Sequence, residues 1–133
     1  MNQSPMLCFT SLAFVVEPGE DDATNPGIFG KTLAHWLAAQ LREHGIPAGD
    51  VIPEDFGWCL GVGAKSERLY VACSSADGER ARWRVFAFRD RGPLAGLFGR
   101  GAMTEPVTSL FATVKEILEA SPQVQDLHEV GGL

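Results

Sequence analysis

Basic residues are scarce in this chain. Eleven lysines and arginines stand against seventeen aspartates and glutamates, a formal charge of −6. That balance argues against a nucleic-acid backbone or an anionic membrane as the main partner, because both reward clustered cations. A basic protein partner, or solubility alone, fits better. Cysteine is scarce too: Cys8, Cys59 and Cys73 are odd in number, far apart and set in apolar runs. Such spacing suits buried reduced thiols in a cytoplasmic protein and implies no disulfide framework. The sequence has no Gly-x-Ser-x-Gly elbow, no cysteine pair at zinc spacing and no His-Glu-x-x-His, so it announces no cofactor and no metal centre. His35 and His44 are nine apart and share no helix face, and His128 lies near the end of the chain. The apolar run 6–16 is too short to cross a bilayer and has neither a basic leader nor a small-residue cleavage site; it reads as a buried strand.

What is present is enough for a core. The 133 residues are 45% hydrophobic, which predicts one domain spanning 1–133 that folds without metal or disulfide. Residues 6–17 carry apolar side chains on both parities, as a strand near the sheet centre does. Pro18 to Asp22 reads as a solvated acidic loop, its spacing lacking the alternating ligands and distal glutamate of a calcium loop. Thr24 or Asn25 then caps a helix over 27–44, with Pro26 just inside its start and Phe29, Leu33, Trp36, Leu37 and Leu41 on its buried stripe. Gly45 ends that helix, with Ile46 folding back on Leu41 in a Schellman cap. Gly30-Lys31-Thr32 has the look of a phosphate-loop tail, but Asn25 stands where the loop's first glycine belongs and three acids precede it.

Residues 58–89 predict a three-stranded antiparallel meander. Leu69, Val71 and Cys73 alternate with Tyr70, Ala72 and Ser74; Asp77-Gly78 signals a hairpin; Trp83, Val85 and Ala87 oppose Arg82, Arg84, Phe86 and Phe88. The loop 90–104 is long for a compact domain. Exposed, its Leu97 and Phe98 form a partner-binding tip; buried, they cover the sheet end. A second helix over 104–120 buries Val107, Leu110, Phe111, Val114, Ile117 and Leu118, and 124–130 is a final strand or a helical turn. The expected fold is α+β: a mostly antiparallel sheet of four or five strands, with both helices on one face.

The densest stretch is 51–63. Pro53 argues that the chain reaches Glu54 and Asp55 as a loop tip. Beyond it Trp58, Leu60 and Val62 share one strand face, and Cys59, Gly61 and Gly63 share a nearly bare one. Rings of the same chain (Trp36, Trp83, Phe86, Phe88) fill the bare face, or a ligand does. Cys59 reads either as a structural thiol or as a nucleophile served by a distant histidine.

The run Pro53-Glu54-Asp55-Phe56-Gly57-Trp58, together with the helix that starts near Asn25-Pro26-Gly27, the Leu97-Phe98-Gly99 loop and the last helix, resembles a family of small bacterial proteins carrying a Pro-Glu-Asp-aromatic-Gly-Trp segment. The resemblance brings no activity with it. Two functions are expected in its place. One is a non-enzymatic binding domain, an immunity-type or chaperone-like partner, that presents Asp50, Glu54, Asp55, Phe56, Trp58, Leu97 and Phe98 to a basic protein. The other is a small-molecule-binding domain or small enzyme with its pocket over Cys59, Gly61 and Gly63.

Overall fold

A computed structural model describes residues 2–90 and 105–131. Its strands are β1 (Asn2–Gln3), β2 (Met6–Thr10), β3 (Ala48–Glu54), β4 (Gly57–Val62), β5 (Leu69–Ser75), β6 (Arg82–Arg89) and β7 (Gln125–Val130); its helices are α1 (Lys31–Glu43) and α2 (Glu105–Glu119). The strands form one antiparallel sheet in the order β3-β4-β5-β6-β2-β7. The short β1 also pairs with β6, and the register slips by one between Gln3↔Phe88 and Leu7↔Val85. Ser4 spans that slip: its amide donates to the Ala87 carbonyl at 2.8 Å and its Oγ accepts the Ala87 amide at 2.9 Å. A side chain thus replaces a ladder carbonyl at a bulge.

The sheet is wider than the sequence predicts, chiefly because of β3. Pro53 argues for a loop, yet it pairs with Trp58 within a strand. The reason is position: β3 is an edge, where a missing amide donor costs no ladder bond. The meander is therefore four-stranded, β3 to β6. Conversely, β2 stops at Thr10 rather than continuing to Glu17. Past it Leu12 and Val15 are 88% and 70% exposed, while Phe14 turns into the core, against Phe9, Trp36 and Trp83, and Val16 packs at its edge.

Both helices lie on one face of the sheet, as expected. Leu33, Ala34, Leu37, Ala38 and Leu41 of α1 and Val107, Leu110, Val114, Ile117 and Leu118 of α2 share a single apolar cluster with the inward strand residues Leu7, Phe9, Trp58, Leu60, Val71, Trp83 and Val85. Helix α1 ends as anticipated: Gly45 is left-handed at φ +80°, Ile46 N–H reaches Leu41 O at 2.9 Å and Gly45 N–H reaches Arg42 O at 3.0 Å. Its start is four residues later than the cap pattern suggests, with Gly30 at the N-cap. Thr24 Oγ1 donates to Ile28 O and Asn25 Nδ2 donates to Asp55 O, so neither caps a helix.

The cap comes from Glu20. This residue is 6% exposed, and its carboxylate accepts the amides of Glu17 (2.7 Å), Gly30 (2.9 Å) and Lys31 (3.1 Å). The acidic loop is accordingly an internal brace as well as a solvated segment. Asp21 accepts the Gly27 amide at 3.0 Å, and Glu17 pairs with Lys31 at 3.1 Å. A helix N-terminus attracts anions; this one already holds a carboxylate of its own chain, which leaves no seat for a phosphate at Gly30-Lys31-Thr32.

Candidate functional site

The face of the sheet turned away from the helices carries its own small cluster. Cys59, Ala72, Phe86 and Phe88 are buried there, with Met6 and Tyr70 packed against them. Strand parity places them: Cys59 pairs with Ala72, Ala72 with Phe86, and Tyr70 with Phe88. Tyr70 stacks on Phe88 at 5.3 Å between ring centroids, and Phe88 lies 5.7 Å from Phe86. Of the rings expected on this face, Phe86 and Phe88 are present, whereas Trp36 and Trp83 belong to the opposite, helix-covered side. Tyr70 is the ring that sequence reasoning missed. Its parity with Ala72 and Ser74 places it beside Gly61, where an added Cβ would sit 3.6 Å from Tyr70 Cε1. The glycines leave room for side chains of this chain, with Glu67 filling the space at Gly63.

At the end of this face β3 and β4 are joined by the two-residue turn Asp55-Phe56. Gly57 makes that turn workable. Its φ is +154°, and a Cβ there would lie 2.6 Å from the Cys73 carbonyl oxygen, so the hairpin can close onto β5 only without a side chain. Phe56 projects from the tip, 42% exposed, with its ring 6.1 Å from Phe88 and 6.4 Å from Phe86. Glu54 and Asp55 flank it in the open, and Asp50 is exposed on β3. Trp58 points the other way. It is 5% exposed in the main core, with Lys31 Nζ 5.6 Å from its ring centroid, so it lies behind the tip rather than on it. Leu97 and Phe98 lie outside the described residues.

A groove of about 290 Å³ opens beside the hairpin, between Phe56, Tyr70 and Phe88 with Cys59 at its floor; Glu54 stands at the hairpin end and Asp90, just past β6, at the other. Among the described residues the ion pairs are Lys31–Glu17, Arg84–Asp77 and Lys115–Glu129. None involves Asp50, Glu54, Asp55 or Asp90. All four carboxylates are exposed; Asp50 shares a cleft with Lys65 and Arg68, and the Asp90 amide donates to the Arg68 carbonyl at 2.8 Å.

The Cys59 thiol is not arranged as a nucleophile. Cys59 is 2% exposed, and burial first, then the nearby Glu54 charge, push its thiol up to about 12. Cys73 is raised as well, by burial and then by Cys59, and Cys8 is raised by burial against the pull of Arg84 and Arg82. A protonated thiol is a poor nucleophile. Among the described residues no group of three or more His, Cys, Asp and Glu is placed to hold a metal ion, and no helix is long and apolar enough to cross a membrane. Compared with protein-family models, with curated proteins and with solved structures, the chain finds no match.

Proposed function

We propose that this protein is a non-enzymatic binding domain that docks a basic protein on the β3–β4 hairpin tip and the adjoining helix-free sheet face. The carrying observation is the exposed Phe56 flanked by Glu54 and Asp55, which form no ion pair with a Lys or Arg among the described residues. Unpaired surface acids speed encounter with a cationic partner, and a partly exposed ring supplies apolar area at the contact centre. Phe56 rests on Phe86 and Phe88, so its position is fixed before binding and little side-chain freedom is lost on contact. An immunity-type or chaperone-like role in the cytoplasm fits such a surface, and so does membership of the family of small bacterial proteins that carry the Pro-Glu-Asp-aromatic-Gly-Trp segment.

The pocket reading over Cys59, Gly61 and Gly63 has less support. A cleft of about 520 Å³ does border Gly61 and Gly63, but Tyr70 and Glu67 lie against the two glycines themselves, and the Cys59 thiol is buried and protonated. The deciding experiment uses the charge-reversed variant Glu54→Lys/Asp55→Lys. Both positions are exposed and unpaired among the described residues, so the variant should fold normally and lose a basic companion that the wild type captures at low salt. Equal capture by both proteins would remove the tip from the account.

A further inference from the structure

The groove beside the tip has a chemistry of its own. Three rings, Phe56, Tyr70 and Phe88, form its walls, and two carboxylates, Glu54 and Asp90, stand at its ends. Its volume of about 290 Å³ falls at the lower limit of small-molecule pockets, which run from about 300 to 1,000 Å³. That size suits one side chain better than a free substrate.

We infer that this groove is a socket for an arginine side chain of the protein partner. The inference rests on the proposed docking function and names what the partner must insert. Charge complementarity excludes an acidic occupant: Glu54 and Asp90 approach the same space and neither has an ion-pair partner among the described residues. A neutral apolar occupant would push these carboxylates out of water with nothing in return. Lysine satisfies the charge, but its compact ammonium is strongly hydrated. The planar guanidinium is weakly hydrated, lies flat on aromatic faces and carries five N–H donors in a fork. It can lie against the part-exposed Tyr70 ring while donating to one or both acids. Stacking on Phe88 at an interplanar angle of 22° holds the Tyr70 ring in place before binding.

The test is an NMR titration of the full chain, following backbone amides, with three capped amino acids: N-acetylarginine methylamide, its lysine counterpart and its citrulline counterpart. Citrulline keeps the shape of arginine and removes the charge. The arginine probe is expected to shift the Cys59, Tyr70, Phe88 and Asp90 amides saturably, with a Kd of about millimolar order as befits one isolated side chain. The lysine probe should bind several-fold more weakly and the citrulline probe about tenfold more weakly, a difference worth about 1.4 kcal/mol. The double variant Glu54→Gln/Asp90→Asn should lose at least about tenfold for the arginine probe while its remaining spectrum reports an unchanged fold. Equal shifts with arginine and citrulline, or no saturable shift with arginine, would overturn the socket. If Glu54→Lys/Asp55→Lys still abolishes partner capture in that event, the docking function stands and the socket alone fails. If the arginine probe binds selectively but charge reversal leaves capture unchanged, the socket is real and the docking surface has been misplaced.

Discussion

Replacing Glu20 by alanine tests the most unusual structural claim, that a buried carboxylate ten residues upstream is the cap of α1. Three amides lose their acceptor: Glu17, Gly30 and Lys31, the last two at the helix entrance. The Gly30 amide lies in a buried bond, and leaving such a donor unpaired costs about 1–3 kcal/mol. Loss of a helix cap costs about 0.5–2 kcal/mol. Water can reach the Lys31 and Glu17 amides more easily, so the combined expectation for Glu20→Ala is about 3 kcal/mol. Glu20→Gln keeps one oxygen acceptor at the same length and should lose about half as much. Urea unfolding followed by far-ultraviolet circular dichroism reads both. With m of about 1–3 kcal/mol per molar, the alanine variant's midpoint should fall by about 1–3 M, its slope unchanged. A loss below about 0.5 kcal/mol, the size of an ordinary surface substitution, would refute the cap.

Other outcomes follow from the hairpin and the thiols. Gly57→Ala forces a Cβ to within 2.6 Å of the Cys73 carbonyl and should cost about 1–3 kcal/mol in the same urea assay. Phe56→Ala removes a ring that is 42% exposed, so thermal melting should show a loss of only about 1 kcal/mol while partner capture collapses. In the folded protein Cys8, half-buried, should react with a thiol reagent at pH 8 before the buried Cys59 and Cys73, and all three should react at once in urea. Cys59 keeps its proton up to about pH 12, whereas an ordinary thiol loses it near 9. Its contribution to stability is thus whole below pH 9 and declines between 9 and 12, by up to about 1.4 kcal/mol per pH unit, and alkaline urea titrations of wild type and Cys59→Ala should diverge in that window.

Much of the fold is written locally. The stripe from Leu33 to Leu41 and the Gly45-Ile46 stop report α1 because helical periodicity and a left-handed glycine are short-range signals. The alternation from Trp58 to Val62 gives the correct faces for the same reason. What the sequence conceals depends on distance. The start of α1 is set by Glu20, which no cap pattern within the helix reveals. Strand β3 contains Gly49, Asp50 and Pro53, all poor strand residues, and persists because β4 supplies its ladder on one side only. The run after Thr10 looks like more strand because Leu12 and Val15 are apolar, yet both are exposed. For the site, residue type and spacing identify Glu54, Asp55 and Phe56 as an exposed tip. They do not reveal that Tyr70 and Asp90 complete a groove, since that relation depends on cross-strand register. Tyr70 was nonetheless within reach: it shares parity with Ala72 and Ser74, on the face opposite the inward Leu69, Val71 and Cys73.

The central claim is that the hairpin tip, and not the helical side, meets the partner. It is tested most directly by placing a photo-cross-linker at Phe56 (Phe56→p-benzoyl-phenylalanine) and, separately, at the exposed Ala112 of α2, then irradiating each protein in a lysate of its native cells at low and high salt. One basic product is expected to cross-link from position 56, lost at high salt and lost when Glu54→Lys/Asp55→Lys is added, with no such product from position 112. A partner that cross-links equally from position 112, or from position 56 regardless of salt and charge reversal, would contradict it.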